Sequence, residues 1–479
     1  MSTLPAAATA SWGELLSGRN GLRSLALCGG VAVHAVNVYI VTTILPSVVQ
    51  DIGGIEYYAW NTTLFVAASI LGSALSASSV GFLGLRASYL FAILVFMLGS
   101  IAAALSPTML FMLGARTVQG LGGGLLLGLS YTSVRLVFQQ RLWPKAMALI
   151  SSMWGVATVA GPAIGGIFAE SGNWRLAFWS IIPVALIITL LVATQLQSRQ
   201  ENRDEIPVKP PLLKIALLTG SVIIISFGSL AESWLLVALS VVLVLTILYI
   251  ISRDDALSTN PLFPTGTYSI SHPLGSLYAG IALMSIGVIS EIYVPYFLQM
   301  IHEVRPLKAG YMTALMSAGW TSGAILMASR SPQFANTLLR ISPVVSALSL
   351  VMLGVLLPWQ QRGDMLPVLW LVGIALYGVG LGVGMIWPHL LTRVFSSAEA
   401  GQENLASASI TTLQLYAMSI GAAVAGMITV AAGFNEGTVE SAQQAARALL
   451  WSFALAPLLY VWLSKAARQV DGTKPSERS

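Results

Sequence analysis

The chain has 479 residues, of which 56% are hydrophobic and only 9% are charged, and its mean hydropathy is +0.79. Soluble domains carry about 25% charged residues, so this composition excludes an ordinary globular enzyme. The formal charge of +5 fits Lys and Arg held in cytoplasmic loops and does not suggest nucleic-acid binding. Because about 20 apolar residues cross a bilayer, we expect a polytopic membrane protein.

Apolar runs of helical length, bounded by charged residues, Gly and Pro, predict fourteen transmembrane helices. The first six lie at 24–47, 58–80, 87–106, 107–132, 146–169 and 176–196; two follow at 211–229 and 233–252; the last six lie at 273–300, 309–329, 341–359, 366–388, 405–432 and 446–465. The predicted domains are a cytoplasmic N-terminal tail (1–23), a six-helix bundle (24–196), a linker with an inserted two-helix hairpin (197–272), a second six-helix bundle (273–465) and a cytoplasmic tail (466–479).

Orientation follows from the basic residues. With the N-terminus inside, most of the 24 Lys and Arg residues fall in cytoplasmic segments, so both termini are expected in the cytoplasm. The first 20 residues are polar and show no cleavage site, which argues against a cleaved signal peptide. We expect a multi-pass protein of the plasma (inner) membrane that acts as a monomer. The single cysteine, Cys28, makes an intrachain disulfide impossible and a Cys-based metal site improbable.

Nearly all acidic residues fall in tails, loops or helix ends of this map. The exception is Glu291, about 13 Å below the outer end of predicted helix 9 at 1.5 Å rise per residue. Ionisable groups at such depth are costly and usually functional, so Glu291 is the candidate proton carrier. An alternative interpretation is that Pro295 breaks the helix early and leaves Glu291 in an outer vestibule. The spacing Pro-x-x-x-Gln follows both Thr42 and Glu291, a weak internal repeat between the two bundles.

Arg116 is the one cation that the predicted helices place well inside the membrane, about nine residues into helix 4. It keeps its charge in almost any environment and therefore needs a carboxylate, carbonyl groups or water. It is a candidate for proton coupling, or alternatively a packing device bonded to helix-end carbonyls. His34 and Asn37 share one face of helix 1; His34 is a second proton-coupling candidate, or a satisfied hydrogen-bonding residue, and Asn37 a candidate for substrate binding.

Small residues recur at four-residue spacing in three predicted helices. Helix 4 carries Gly120, Gly124 and Gly128, and helix 12 carries a similar set of glycines, Gly378, Gly380, Gly382 and Gly384. Such stripes predict close contact with a neighbouring helix. In helix 5 a proline stands within such a stripe, which favours a hinge over packing alone. The candidate conformational residues there are Gly155, Gly161, Pro162, Gly165 and Gly166.

Aromatic residues within the helices are candidates to line a cavity for flat or cationic compounds, although packing is their commoner role in membranes. Trp320 and Tyr377, and then Trp154, are the preferred substrate-binding candidates. The sequence shows no embedded Ser/His/Asp set, metal cluster or phosphate loop, so we expect neither an enzyme nor a metal or other cofactor.

Two motifs carry a resemblance to a known family. The run RTVQGLGG from Arg116 resembles the helix 4 motif of the major facilitator superfamily, and GVATVAGPAIGG from Gly155 resembles the helix 5 antiporter motif of its drug exporters. NWRLAFW, which follows, is also similar to these exporters. With fourteen predicted helices, the chain resembles the 14-helix drug:proton antiporter branch. The resemblance implies two bundles rocking about a midplane cavity, with Arg116 assisting proton transfer and Gly161–Pro162 sealing the cavity against proton leak.

The chain departs from that branch at two places. Helix 1 reads NVYIVTTILP, with Asn37 where the branch has an acid and Tyr39 and Thr42 replacing further members. The loop between helices 2 and 3 has Gly81 where an Asp is expected. The first departure puts the proton stoichiometry in doubt and leaves Glu291 as the embedded acid. The missing Asp puts in doubt the usual interaction between charged residues that stabilises the outward-facing state.

The sequence therefore predicts a proton-coupled antiporter that exports hydrophobic or cationic small molecules by alternating access, with antibiotic resistance as one consequence. Its partners would be its cargo, protons and the lipid bilayer. One alternative is a dedicated exporter of a single metabolite or toxin. Another is a membrane sensor or lipid scramblase without proton-coupled flux. An importer or uniporter is disfavoured by the helix 5 motif.

Overall fold

The computed structural model describes residues 11–196, 211–228, 230, 233–327, 330–359, 366–399 and 402–469. In these residues every regular element is helical, as the sequence predicts for a polytopic membrane protein. The charged stretch 197–210 and the outermost ten residues at either terminus lie outside the described residues.

The longer helices are numbered here in chain order, and their positions follow the predicted apolar runs. Their bounds are α1 Gly18–Ile52, α2 Tyr58–Leu83, α3 Leu85–Ala104, α4 Met109–Thr132, α5 Trp143–Glu170, α6 Arg175–Gln195, α7 Leu212–Gly228, α8 Trp234–Leu257, α9 Pro273–His302, α10 Pro306–Met327, α11 Pro332–Leu356, α12 Leu366–Ser397, α13 Glu403–Ala431 and α14 Val439–Leu463. Among the described residues, eleven helices are long and apolar enough to cross a membrane.

The other three long helices are α2, α7 and α10. Helix α7 has only 17 residues. Helix α2 begins with a polar stretch around Asn61, and α10 begins with Pro306 and includes Lys308. Short length and polar residues lower the apolar signal of these three helices, although each packs within the bundle.

Three predicted helix starts were wrong by more than a turn; that of α14 is Val439, behind the cap of Thr438, and not residue 446. Helix α1 begins at Gly18 and not at residue 24, after a short helix, Trp12–Leu16, that is capped by Ser11. Helix α11 begins at Pro332, behind the cap of Ser331, and not at residue 341. Hydropathy indicates only where the apolar part of a helix starts. The helix itself extends further towards the N-terminus, through residues such as Arg, Asn and Gln, as far as the capping residue that precedes its first turn.

Helices α1–α6 (the first half) pack on one another, as do α9–α14 (the second half), and the halves meet mainly through α2 with α13 and α5 with α10. Helices α7 and α8 form a hairpin in which α7 packs on both α2 and α13. The end of the bundle where α1 ends and α2 and α10 begin is called the Ile52 end. The opposite end, where α2 gives way to α3, is the Gly84 end.

The glycine stripes bring neighbouring backbones together as predicted. A Cβ on Gly120 would stand 2.2 Å from the Phe65 carbonyl oxygen of α2, and one on Gly124 would stand 2.2 Å from that of Ser69. On α12, a Cβ on Gly384 would lie 2.0 Å from the Trp320 carbonyl oxygen of α10. Only glycine permits these approaches, which hold the α2–α4 and α10–α12 pairs in fixed positions.

Candidate functional site

A buried polar network joins α1, α3 and α4 within the first half. Arg116 Nη1 donates to the side-chain oxygen of Asn37 at 2.6 Å and also to that of Gln119. Gln119 Nε2 in turn donates to Ser100 Oγ at 2.7 Å. Arg116 is 1% exposed, and Asn37 and Gln119 are fully buried. The arginine that the sequence singled out is therefore held by amide oxygens, and Asn37 is one of its ligands.

The charge of Arg116 has no carboxylate partner among the described residues. Its guanidinium lies 4.0 Å from the centre of the Phe65 ring, a cation–π contact that partly compensates the loss of water. Three buried nitrogen atoms of this region have no hydrogen-bond partner: His34 Nδ1, Asn37 Nδ2 and Arg116 Nε. A desolvated cation with spare donors favours anionic or electron-rich groups nearby and disfavours a second cation.

His34 lies against this network, which agrees with its predicted position on the Asn37 face of α1. Its ring stacks on Phe65 with centroids 5.2 Å apart and meets the edge of Trp154 at 6.1 Å. The positive charge of Arg116 acts on the imidazole. Trp154, a candidate for substrate binding, is thus adjacent to the candidate proton-coupling residues of the first half.

Glu291 lies at an interruption in α9. The sequence predicts a helix over 273–300, with an early break at Pro295 as the alternative. In the structure Ser290–Tyr293 forms a 3-10 turn, after which an α-helical segment starts at Val294. Pro295 explains the change, because it has no N–H to bond the Glu291 carbonyl four residues earlier. The Glu291 carboxylate is half-buried and forms no ion pair with a described residue. In this conformation it does not pair with Arg116.

The carboxylate charge of Glu291 acts across the halves on Tyr39 of α1. The Tyr39 hydroxyl lies 2.7 Å from Ser317 Oγ of α10, so this bond crosses between the halves. The sequence noted Tyr39 only as a departure from the family motif. That departure was the available signal, since a tyrosine in the middle of a spanning helix needs a partner for its hydroxyl.

The α5 segment that resembles the antiporter motif packs on two helices. Cβ atoms on Gly161 and Gly165 would lie 2.3 Å from Tyr39 Cβ and 2.9 Å from the Ile40 carbonyl oxygen of α1. A Cβ on Gly166 would stand 2.4 Å from the Cα atom of Leu307 in α10.

Two further members of that segment differ in their surroundings. Pro162 lies inside a continuous α5 and against Gly310 of α10, where a Cβ would be 3.0 Å from Pro162 Cβ. Gly155, although it belongs to the same motif, has nothing within 4 Å of its Cβ position. The contacts therefore concentrate in the last turns of α5, at the Ile52 end.

The other aromatic candidates lie in the second half. Trp320 of α10 packs edge to face on Trp387 of α12, with centroids 4.8 Å apart. The Tyr377 hydroxyl is 2.6 Å from Ser322 Oγ, a bond that also joins α12 to α10. Trp320 and Tyr377 are both half-buried. The predicted substrate-binding residues thus form two groups, one around Trp154 and one around Trp320.

At the Ile52 end an aromatic cluster closes the gap between the halves. It consists of Tyr58 of α2, Tyr293, Tyr296 and Phe297 of α9, and Phe434 after α13. The Tyr58 ring is 1% exposed and stacks on Tyr293 with centroids 4.9 Å apart. The sequence analysis missed this cluster, because its members come from distant parts of the chain.

Two more features of the Ile52 end involve both halves. A Glu170 side-chain oxygen at the end of α5 accepts the backbone N–H of Leu307 in the first turn of α10 at 3.2 Å. Beside them opens a cleft of about 530 Å³ whose lining includes Gln50 and Gln299. These are the two glutamines of the predicted internal repeat, so the repeat relates residues of one site. No group of three potential metal ligands occurs in the described part of the chain.

Comparison with known proteins agrees with this architecture. The chain is 33% identical over 99% of its length to a probable multidrug-efflux transporter of Mycobacterium tuberculosis, which it covers completely. It is 22% identical to multidrug resistance protein 3 of Bacillus subtilis, over 84% of this chain and 78% of that protein.

Among solved structures, the fold resembles that of a bacterial homologue of the human lysosomal transporter Spinster in an inward-facing, unoccupied conformation. The TM-score is 0.65 at 12% identity, over 94% of this chain and 97% of that one. The family model for the Major Facilitator Superfamily matches residues 27–426. The chain therefore belongs to the Major Facilitator Superfamily of membrane transporters.

Proposed function

We propose that this protein is a proton-coupled antiporter that exports hydrophobic or cationic small molecules by alternating access. The observation that carries the proposal is the half-buried carboxylate of Glu291, which has no ion-pair partner among the described residues and whose charge acts on Tyr39 of the other half. A carboxylate placed between two moving halves, with no fixed counter-ion, is free to bind either a proton or a cation. The relatives named as multidrug-efflux transporters support the direction and breadth of transport.

The proposed topology has fourteen membrane crossings formed by α1–α14, as in the 14-helix drug:proton antiporter branch, with α7 and α8 inserted between two six-helix bundles. Both termini are cytoplasmic and the protein acts as a monomer in the plasma membrane. The Ile52 end is then the outer end. The contacts of Tyr58 and Glu170 at this end accordingly represent a state that is closed to the outside.

In the proposed cycle, Glu291 receives a proton from the outside when the Ile52 end is open. Neutralising the carboxylate removes its attraction for cationic cargo, which leaves, and lowers the cost of carrying the site through the apolar layer. The proton is then released to the cytoplasm and the site is restored. Arg116, fixed by Asn37 and Gln119, supplies a permanent positive potential, and His34 beside it is a second group for proton coupling.

The proposed cargo site uses the two aromatic groups, one from each half. Trp154 and Asn37 contribute from the first half, and Trp320 and Tyr377 from the second. Flat aromatic rings bind lipophilic cations through π faces without demanding one shape, which suits broad specificity. The hinge is the segment from Gly155 to Gly166, in which Gly161, Pro162 and Gly165 let α5 move against α1 and α10.

The test is transport of a fluorescent lipophilic cation in proteoliposomes with an imposed pH gradient. Wild type is expected to move the probe only with the gradient, and Glu291→Gln is expected to abolish the gradient dependence while keeping the melting temperature. The matched control is Glu440→Gln, an exposed acid in the first turn of α14, which should behave as wild type. Undiminished proton-coupled transport by Glu291→Gln would remove Glu291 from the mechanism.

A panel of probes separates the alternatives. Movement of several dyes and quaternary amines supports multidrug export. Transport of one compound alone indicates a dedicated exporter of a single metabolite or toxin. Absence of any gradient-dependent flux, with the protein folded, would contradict the antiporter proposal and favour a sensor or scramblase.

A further inference from the structure

The side chain of Tyr58, in the first half, forms a hydrogen bond with a backbone atom of the second half. Its hydroxyl donates to the carbonyl oxygen of Ile292 at 3.2 Å. The ring of Tyr58 packs against Tyr293, Tyr296 and Phe434, all from the second half. Tyr58 therefore inserts from α2 into the second half and bonds to its main chain.

The bonded carbonyl belongs to the residue next to Glu291, within the 3-10 turn Ser290–Tyr293. A single 3-10 turn inside a helix is a common hinge, because its hydrogen bonds have poorer geometry and are remade at low cost. Here Val294 N–H bonds to the Glu291 carbonyl, while Pro295 offers no N–H at all. Because the two residues are adjacent, a rotation about the backbone bonds of Glu291 also moves the Ile292 carbonyl, unless a rotation about the bonds of Ile292 compensates.

We propose that Tyr58 is a positioning residue that links the state of Glu291 to closure of the Ile52 end. The inference rests on the proposed proton-carrying role of Glu291. When Glu291 changes between its charged and neutral forms, its side chain changes depth and the 3-10 turn rotates. The Ile292 carbonyl then leaves the Tyr58 hydroxyl, and the aromatic cluster loses the bond that holds α2 to α9.

The surroundings of the turn contain few groups that compete with Glu291 for a pH effect. The Glu291 charge acts on Tyr39 of α1, Tyr58 of α2 bonds to the turn, and α13 supplies the Thr429 hydroxyl, which donates to Tyr293 at 2.9 Å. Tyrosines are neutral at ordinary pH, and no described residue forms an ion pair with Glu291. Helix α14, which also packs on the turn, carries its charged residues Glu440 and Arg447 at exposed positions, and the Glu170 carboxylate lies at the α5–α10 contact. A pH-dependent change at the turn itself is therefore assigned to Glu291.

The chain offers a matched pair of variants. Tyr58→Phe removes the hydroxyl and its bond to Ile292 but keeps the ring in the cluster. Tyr296→Phe removes a hydroxyl from the same cluster, at a residue 7% exposed, and leaves the Tyr58–Ile292 bond intact. Neither variant creates a cavity, so both are expected to fold.

The experiment measures opening of the Ile52 end by the distance between two spin labels in full-length protein in lipid nanodiscs. Thr108→Cys before α4 and Asn435→Cys after α13, both exposed, carry the labels, and the buried Cys28 is replaced by Ser. Distances are recorded in acidic and alkaline buffer for wild type, Glu291→Gln, Tyr58→Phe and Tyr296→Phe. Wild type should change its open fraction with pH, and Glu291→Gln should have one open fraction in both buffers.

In the buffer in which the Ile52 end of wild type is mainly closed, we expect Tyr58→Phe to raise the open fraction about fivefold, which corresponds to the loss of one ordinary hydrogen bond. We also expect the open fraction of Tyr58→Phe to be the same in both buffers. Tyr296→Phe should match wild type. A wild-type pH response in Tyr58→Phe, with Glu291→Gln unresponsive, would overturn this inference and leave the proposed function standing. A pH response that persists in Glu291→Gln would overturn the proposed role of Glu291 itself.

Discussion

The side-chain oxygen of Asn37 accepts a hydrogen bond from Arg116 at 2.6 Å, at a depth where both residues are essentially inaccessible to water. The position at which the drug:proton antiporter branch has a helix 1 acid is thus occupied by a neutral ligand of the buried cation. The charge of Arg116 remains in the first half without a fixed counter-ion among the described residues.

Replacing Asn37 tests how much this neutral ligand contributes to the stability of the protein. Asn37→Leu removes an acceptor from a desolvated cation and is expected to cost about 3 kcal/mol, whereas Asn37→Asp supplies a carboxylate and should retain or raise stability. The measurement is thermal unfolding of the purified protein in detergent. Asn61→Leu is the control, since the bonds of the buried Asn61 to described residues go to neutral groups, the Tyr57 carbonyl and Met109 Sδ at 3.2 Å. Equal losses from Asn37→Leu and Asn61→Leu would show that the charge of Arg116 does not matter.

Gly166 and Gly155 belong to one motif but differ in what surrounds them. An added Cβ at Gly166 meets the Cα atom of Leu307 at 2.4 Å, so Gly166→Ala should force α5 and α10 apart at the Ile52 end, at a cost of about 1–3 kcal/mol to the closed state. Gly155→Ala meets nothing within 4 Å and should be neutral. The measurement is gradient-driven transport by the two variants at equal expression. Normal transport by Gly166→Ala would show that this close contact is not required in the cycle.

The sequence predicted the helices and the local partners well because those depend on nearby residues. His34 and Asn37 share a face of α1 by helical spacing alone, and the stripe beginning at Gly120 packs as its spacing implies. The 3-10 turn at Glu291 had a signal in Pro295, but its position depends on how α9 packs. Contacts such as Tyr58 with Ile292 join residues far apart in sequence, and no periodicity of one segment reveals them.

Asp255 anchors the chain between α8 and α9. Its carboxylate accepts hydrogen bonds from Lys214 Nζ at 2.6 Å, from the backbone N–H groups of Leu262 and Phe263 at 2.9 and 3.1 Å, and from the Tyr268 hydroxyl at 2.7 Å. Burial, and the neighbouring Asp255 carboxylate, raise the pKa of Tyr268 well above its usual range, so Tyr268 remains a neutral donor.

Asp255→Asn is therefore expected to destabilise the protein by about 3–5 kcal/mol, because it leaves the Lys214 ammonium without its buried partner. Asp254→Asn is the control: Asp254 also contacts Lys214, at 2.8 Å, but its side chain is 59% exposed and a surface ion pair contributes less than about 1 kcal/mol. Melting temperature in detergent separates the two variants. Equal shifts in melting temperature would contradict the assignment of the stabilisation to Asp255.

A second hydrogen bond between the halves joins Tyr39 to Ser317, and the charge of Glu291 acts on Tyr39. Tyr39→Phe and Ser317→Ala both remove it, so their effects on the free energy of unfolding should not add: each costs about 1 kcal/mol and the double variant little more. The comparison pair is Tyr278 and Ser409, 2.6 Å apart and both within the second half. That pair should show the same non-additivity in stability but leave the pH dependence of transport unchanged.

The Tyr39 and Ser317 variants should alter the pH dependence of transport, because they release α1 from α10 at the level of Glu291. A pH profile identical to that of wild type in Tyr39→Phe would mean that this bond holds the halves together without taking part in coupling.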